Sequence, residues 1–282
     1  MTAGALRGFA RQPGAVVAAG FLLLLALLAI AAPWLYPVSP WAMVARPLTP
    51  PFGSLQVPLG SDLLGRDVLA GLIHGARTSL GIGAASTLAT LLAGVAAGAL
   101  AGYFGGWVDH VLMWISDAFQ VLPGLFLAVI LVAVLAPSTG SVVLAISLSS
   151  WPPVARIVRS EFAGLREREF VLAARVAGLP PLRIVFIEIL PNALAPILVL
   201  ASFVLAATIL SESALSFLGL GDPASVSWGY MIDAARNLAR QAWWLGVWPG
   251  LAIMATVLAA NRVGEGLRRA LQLDEYLPGQ AR

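Results

Sequence analysis

Few side chains able to perform catalysis are present in this chain of 282 residues, which has no Cys, no Lys and only two His, His74 and His110. The absence of Cys excludes thiol catalysis, disulfides and Cys-ligated metal sites. A phosphate-binding loop of the Gly-x-x-x-x-Gly-Lys-Ser/Thr type needs a Lys, so the chain has none. No Ser/His/Asp set or pair of carboxylates stands out, and His74 has no second ligand at metal-binding spacing. We therefore predict no enzymatic activity, bound cofactor or metal for this chain itself.

Charge is concentrated in one segment, residues 157–192, which contains a helix-forming run rich in small residues. Gly178 can act as the C-terminal cap of this helix, and the two prolines that follow cannot continue it. We predict that the helix exposes a smooth face formed by Ala173, Ala174 and Gly178. Such a face suits insertion into a groove on another protein.

The composition of the whole chain indicates which class of protein carries this segment. Hydrophobic residues make up 59% of the chain and charged residues 11%, and the mean hydropathy is +0.88. A soluble domain carries about 25% charged residues, and disorder requires low hydrophobicity, so both classes are excluded. The net charge of +3 does not indicate nucleic-acid binding, because the arginines lie between apolar runs and form no basic block. The chain is predicted to be an integral protein of the lipid bilayer.

Charge-free stretches long enough to cross the membrane, which requires about 20 apolar residues, predict six helices. A break at 137–140 separates the third helix from the fourth, and Pro123 and Pro191 are each expected to kink or start a helix. The first apolar run is 23 residues long, which favours an uncleaved helix over a signal peptide, whose apolar region has about 7–15 residues. The predicted helices span about 14–36, 79–103, 111–136, 141–157, 193–212 and 241–262.

Arginine distribution predicts the orientation of these helices. An even number of spans places both termini on one side, and twelve of the 17 arginines then share that side. Because basic residues favour the cytoplasmic side, both termini are predicted to be cytoplasmic. The cytoplasmic parts are then 1–13, 157–192 and 263–282, and residues 37–78 form an outer loop.

The end of this outer loop carries charges beside a run with an apolar helical face. Residues 64, 68, 69, 72 and 73 share that face, which is typical of a helix lying in the membrane interface. Asp62, Arg66 and Asp67 lie off this face. They are candidates for docking an outside partner, and a purely structural role is the alternative.

Ionisable and small residues inside the apolar stretches also have a predicted role. Asp117 and Glu212 lie within or beside predicted helices, and we expect a structural hydrogen bond or helix-end role for each, with pore lining as the alternative. Gly94, Gly98 and Gly102 recur every four residues and let a neighbouring backbone approach closely. We expect this stripe to pack inside one subunit, with a seam between subunits as the alternative.

Several motifs together resemble the permease subunits of binding-protein-dependent ABC importers. The run at 169–174, followed by Gly178 and by Ile-Leu-Pro-Asn at 189–192, is similar to their EAA loop. The stretches at 58–68, 75–80, 102–109, 213–221 and 227–229 are similar to the dipeptide/oligopeptide/nickel subfamily. Because order and spacing agree from about residue 10 to 272, the chain is identified as a member of this subfamily. It resembles the C-type partner of the two permeases.

This resemblance implies an all-α type I importer permease fold that forms half of a translocation path in a bacterial or archaeal cytoplasmic membrane. The implied partners are a homologous second permease, two ABC ATPase subunits that hold ATP and Mg, and an extracytoplasmic substrate-binding protein. The residues implied to couple the chain to the ATPases are Glu169, Phe170, Ala173, Ala174, Arg175 and Gly178. The implied outer docking or gate candidates are Asp62, Arg66, Asp67, Glu212 and Asp222.

Two positions depart from the family pattern. Leu172 stands where the family usually has Glu, which removes an acid able to pair with the ATPase, and Glu188 stands where peptide permeases often carry His. The resemblance implies peptides as substrate, with nickel or another chelated metal, glutathione-like compounds or other small solutes as alternatives. A stand-alone secondary transporter would show inverted repeats, and an intramembrane enzyme would need a catalytic constellation. The sequence shows neither of them.

Overall fold

Long apolar helices form most of the protein, whose computed structural model describes residues 3–276. Within that range, β-structure is limited to two isolated bridges, Met43 with Arg66 and Ser61 with Asp67. The helices are α1 (Ala3–Ala10), α2 (Pro13–Leu35), α3 (Val68–Phe104), α4 (Gly106–Phe119), α5 (Gly124–Leu135), α6 (Thr139–Arg166), α7 (Glu169–Val176), α8 (Pro181–Arg183), α9 (Leu190–Phe217), α10 (Trp228–Ala235) and α11 (Trp244–Tyr276). A π-helical segment, Ile184–Ile189, joins α8 to α9.

Five helical stretches among the described residues are long and apolar enough to cross a membrane. They are Pro13–Leu35, Val68–Phe104, Thr139–Arg166, Pro181–Phe217 and Trp244–Leu271. Helices α4 and α5 pass the same test only as a pair, and they meet at an angle of 77°. The predicted all-α membrane fold is confirmed, and the bent pair corresponds to the third predicted span.

The helix predicted over 111–136 consists of two helices, and the interruption lies at Pro123, where a kink or a helix start was expected. Helix α4 ends at Phe119 and α5 begins at Gly124, and Pro123 between them has extended backbone with ψ 132°. Proline lacks the N–H that a helix interior needs, and it disfavours the helical conformation of the residue before it. Pro123 therefore separates two short helices.

The second predicted helix begins too late. Asp67 caps α3, since its carboxylate accepts the backbone N–H of Leu69 at 2.9 Å, and the helix runs unbroken from Val68. Arg77 lies exposed on this helix and does not end it. The interfacial helix expected over 64–73 is therefore absent from the described structure, and most of that run forms the first turns of α3.

Two other helices also extend beyond their predicted ends. Helix α2 begins and ends within one residue of the predicted 14–36, but α6 continues to Arg166 and α11 to Tyr276. Much of the predicted cytoplasmic segment 157–192 and of the tail is therefore helical. Helices are stable beyond the bilayer, so the last apolar residue does not mark the helix end. Residues 1–2 and 277–282 of the predicted termini lie outside the described residues.

Helices α3 and α6 form the centre of the bundle and approach closely along the glycine stripe. A Cβ on Gly98 would lie 2.5 Å from the carbonyl oxygen of Ala155 and 2.8 Å from the Cβ of Val158. Gly94 and Gly102 face α6 in the same way. The stripe is therefore a contact within this chain, as expected.

The remaining helices surround this pair and define two ends of the bundle. Helix α9 packs beside α3, α11 packs on α9, α10 contacts both α9 and α11, and α1 and α2 pack on α11. We call the end that carries α7 the α7 end, and the opposite end, which carries residues 36–67, the long-loop end.

Candidate functional site

Helix α7 is attached to the bundle by one apolar edge. Val171 and Ala174, three residues apart on the same side, are buried in a cluster with Phe162, Ile184 and Ile189. Residues i and i+3 lie on one face of a helix, so this short helix is anchored along a single line. Its other faces remain exposed in the chain.

A Schellman motif ends α7 and fixes the direction of the chain after it. Gly178 has φ +74°, its N–H donates to the carbonyl of Arg175 at 2.9 Å, and the N–H of Leu179 donates to the carbonyl of Ala174 at 3.1 Å. Leu179 also packs against the cluster that holds Ala174. Left-handed φ is accessible to glycine without a Cβ penalty. The predicted capping role of Gly178 matches this geometry.

Two arginines connect α7 and α6 to the end of α3. The guanidinium of Arg175 lies 5.2 Å from the ring centroid of Tyr103, and Arg166 Nη1 donates to the Tyr103 carbonyl at 3.3 Å. A cation over an aromatic face is attracted by the ring quadrupole. These contacts join α7 and α6 to the end of α3.

Most of the predicted coupling residues lie on the exposed side of α7, with one correction. Glu169, Phe170, Ala173, Arg175 and Gly178 are exposed in the chain. Ala174 is only 8% exposed, so the prediction that it forms part of the open face is wrong. It lies three residues after Val171 and shares the buried edge.

The exposed side of α7 contains an apolar residue that the sequence analysis missed. Val176 is 89% exposed and Leu172 is 46% exposed. In the sequence, the signal for this exposed apolar surface was that both residues lie off the helix edge formed by Val171 and Ala174. Large exposed apolar side chains on a charged segment are typical of a surface that a partner covers.

At the long-loop end, Asp62 and Arg66 stabilise the chain that leads into α3. The carboxylate of Asp62 accepts the backbone N–H groups of Leu64 and Arg66, each at 2.8 Å. The Arg66 guanidinium lies 4.9 Å from the Trp41 ring centroid. Both charged side chains are half-buried, so each serves the loop structure and keeps part of its surface accessible.

Asp67 is not at the surface. It is 2% exposed, caps α3 and accepts the hydroxyl of Tyr36. Burial, together with this bond to Asp67, raises the pKa of Tyr36 to about 12. His74 Nε2 lies 3.0 Å from the Tyr36 carbonyl oxygen. Asp67 and His74 therefore join α2 to α3, and burial removes Asp67 from the predicted docking surface.

Glu212 lies at the centre of a buried hydrogen-bond network that connects three helices. Its side chain is 0% exposed, Ser79 of α3 donates to Oε2 at 3.1 Å, and Ser216 of α9 donates to Oε1 at 2.8 Å. The backbone N–H of Trp228, at the start of α10, donates to Ser79 Oγ at 3.1 Å. This geometry suits the structural role favoured for Glu212 over pore lining.

Replacing Glu212 tests that role. We expect Glu212→Leu to lower the free energy of unfolding by about 2 kcal/mol, because it leaves buried hydroxyls without their partner. Glu212→Gln keeps the shape and one acceptor oxygen, and its amide can donate to the Ser216 hydroxyl, so its thermal midpoint in detergent and its transport should stay close to wild type. A Gln variant that is stable but inactive in transport would show that the charge itself is needed.

Asp222 connects the loop after α9 to the start of α6. Its Oδ2 accepts the Thr139 hydroxyl at 2.6 Å and the Thr139 backbone N–H at 3.2 Å, and Oδ1 accepts the N–H of Ala224 at 2.9 Å. The Thr139 hydroxyl, and then the Ala224 N–H, hold the pKa of Asp222 below its usual range. The ionised carboxylate is thus the form that stabilises this corner.

The protection of this corner should depend on pH. Because the pKa of Asp222 is lower in the folded state, its contribution is present above the unfolded-state pKa of about 4 and is lost as pH falls through the folded value. Asp222→Asn should cost about 0.5 kcal/mol at neutral pH, allowing for solvent screening. Hydrogen exchange of segments containing Thr139 and Ala224 checks this. In acid, the exchange protection of these segments in wild type should fall towards that of Asp222→Asn. Equal protection of the two proteins at neutral pH would contradict the stabilising role of the ionised Asp222.

Among residues 7–271, whose side chains the structure describes, no group of three or more His, Asp or Glu is placed to hold a metal ion. The features just described are a helix with an exposed side at one end and hydrogen-bonded loops at the other. Between them lie helices able to cross a membrane several times.

Comparison with solved structures defines the class of this fold. The chain is similar to the permease fold in an inward-facing structure of the MetNI methionine ABC transporter, with a TM-score of 0.57 and 18% identity. The similarity covers 70% of this chain and 96% of that one. The fold is therefore that of an ABC importer permease.

Sequence comparison then identifies the family. Residues 94–273 match the family described as binding-protein-dependent transport system inner membrane component, and residues 1–51 match the N-terminal TM domain of oligopeptide transport permease C. The chain belongs to this family, and it is a multi-pass membrane permease subunit of an ABC transporter.

Two relatives are similar over nearly their whole length. The di/tripeptide transport system permease protein DppC of Pseudomonas aeruginosa is 41% identical over 94% of this chain and 89% of its own length. The dipeptide transport system permease protein DppC of Escherichia coli K12 is 42% identical over 93% of this chain and 90% of its own.

Proposed function

We propose that this chain is one of two homologous membrane subunits of an ATP-driven, binding-protein-dependent importer of dipeptides and oligopeptides. The observation that carries this proposal is the 41% identity, over 94% of the chain, to a permease named for di- and tripeptides. The chain would form half of the translocation path. A homologous second permease would form the other half.

In this proposal, two partner ATPase subunits bind ATP and Mg and supply the energy. The exposed side of α7 sits in a cleft of an ATPase subunit, and ATPase closure moves α7. The buried edge formed by Val171 and Ala174, and the contact of Arg175 with Tyr103, carry this motion to α3 and α6. A helix that sits in this cleft and has two positions, one for each nucleotide state of the ATPase, couples ATP hydrolysis to movement of the membrane helices.

Orientation follows from the same proposal. The α7 end faces the cytoplasm of a bacterial or archaeal cell, together with both termini and most of the 17 arginines. The long-loop end faces outward, where a substrate-binding protein docks over both permeases. Asp62, Arg66 and the loop that contains Asp222 are this chain's candidates for that contact or for the outer gate.

Purification of the tagged chain from its native membrane in a mild detergent tests this proposal. We expect mass spectrometry to identify a second permease, one or two ATPases and a substrate-binding protein, and proteoliposomes of the complex to import a labelled dipeptide only with ATP. Import of a nickel chelate without peptide import would replace the substrate class. Recovery of the chain alone, under conditions shown to preserve comparable complexes, would contradict the importer.

A further inference from the structure

The break between α4 and α5 lies within the membrane. Helix α5 has 12 residues and is therefore about 18 Å long, which is less than the roughly 30 Å of hydrocarbon that a span must cross. Its angle of 77° to α4 shortens the distance it covers along the membrane normal. Residues 120–123 are thus at membrane depth.

This break does not suit contact with lipid. Residues 120–123 are not α-helical, and residues 120–126 are all exposed in the chain. Irregular backbone inside the hydrocarbon region is tolerated only where protein buries it or where it lines a water-filled cavity. The break therefore faces a partner subunit or the water-filled path.

An ion pair lies beside the break. Arg156 Nη2 of α6 donates to Asp117 Oδ1 of α4, and the two side chains remain 49% and 62% exposed. Charged side chains at this depth are costly unless they face a protein interior or a water-filled cavity. Gln120, one turn beyond Asp117, is exposed, and its amide donates to Ser116. These polar groups lie beside exposed apolar side chains, among them Val121 and Phe126.

A second ion pair between α4 and α6, Asp109 with Arg159, differs from the Asp117–Arg156 pair in geometry and burial. Arg159 Nε and Nη2 donate to the two carboxylate oxygens of Asp109, each at 2.5 Å, and Asp109 is 16% exposed. The Asp117 pair uses one oxygen instead of two. Among the described contacts, Asp117 Oδ2 and most N–H groups of Arg156 keep their bonding capacity for another group.

We propose that Asp117 and Arg156 bind the charged termini of a peptide as it passes through the path. This inference rests on the proposed function. The free ammonium group of a peptide complements the Asp117 carboxylate, and its carboxylate complements the planar fork of Arg156. In the empty path the two side chains neutralise each other. When a peptide enters, one ion pair is exchanged for two.

Photolabelling of the complete reconstituted transporter tests this proposal. The probe is a tripeptide with free termini and a diazirine side chain, delivered on the substrate-binding protein at saturating occupancy. We expect the label in wild type within 117–126 or 149–156. Asp117→Asn and Arg156→Gln should each lower labelling and uptake by about tenfold, because a charge-assisted bond is lost. Asp109→Asn, which alters the neighbouring ion pair, should retain the labelling pattern per assembled complex.

Two results would overturn the inference. One is labelling of wild type only outside these segments, and the other is equal labelling in wild type and Asp117→Asn, which would make the pair a contact to the second permease. Failure of the proposed function is distinguishable from both, because wild type would then import no peptide at all.

Discussion

Gly178→Trp should reduce uptake by the assembled transporter to background. Gly178 is exposed at the C-terminus of α7, and a Cβ added there meets no atom of the chain within 4 Å. A Trp side chain therefore has room in the isolated chain, and its effect reports on the surface that covers α7 in the complex. We expect the indole to prevent α7 from seating in the ATPase. The measurement is ATP-dependent uptake in proteoliposomes, normalised to the amount of this chain.

Strain in the left-handed backbone needs a separate control. Gly178 has φ +74°, and any L residue there costs about 1 kcal/mol, least for Asn. Gly178→Asn carries that strain without the bulk of the indole, so it should retain most of the uptake. Equal uptake by the Trp and Asn variants would remove the C-terminus of α7 from the coupling contact.

Gly98→Leu should prevent formation of the folded subunit. A Cβ at this position would lie 2.5 Å from the carbonyl oxygen of Ala155, a backbone atom that moves only if α6 moves. Overpacking against side chains costs about 1–3 kcal/mol, and a clash with helix backbone should exceed about 3 kcal/mol. The yield of monodisperse protein in size-exclusion chromatography measures the effect.

A glycine on the same helix supplies the matched control for Gly98. Gly81 also lies in α3, and a Cβ there meets nothing within 4 Å. Gly81→Leu adds the same side chain and improves helix propensity by roughly 0.5–1 kcal/mol. We expect wild-type yield from it. Normal yield from Gly98→Leu would mean that α3 and α6 do not pack closely along this stripe.

Sequence periodicity and charge predicted the number of membrane passes better than the ends of the helices. Charge marks where the hydrocarbon ends, but a helix continues until its hydrogen bonding is interrupted. Arg77 is exposed within α3 for this reason, and Asp67, which caps it, is the true start signal. Pro123 was recognised as a kink or a start. The angle of 77° between α4 and α5 is a property of the fold that local sequence does not encode.

The candidate site was predictable where it depends on local order and unpredictable where it depends on distant contacts. Gly178 after a helix of small residues is a local signal, so the end of α7 was found from the sequence. The burial of Ala174 follows from Val171 three residues earlier, a spacing that the sequence also shows. The bond between Glu212 and Ser79 joins residues 133 positions apart. The Asp117–Arg156 pair likewise joins distant residues, so only the fold brings them together.

Cross-linking from a single cysteine tests most directly whether the exposed side of α7 contacts an ATPase. The chain has no native Cys, so Val176→Cys, at a position 89% exposed, can be labelled selectively with a benzophenone maleimide. Leu55→Cys, at a fully exposed position of the long-loop end, is the control. We expect light to join position 176, and not position 55, to an ATPase subunit, with a yield that changes when ATP is bound. Attachment of position 176 only to lipid, or position 55 to the ATPase, would contradict the account.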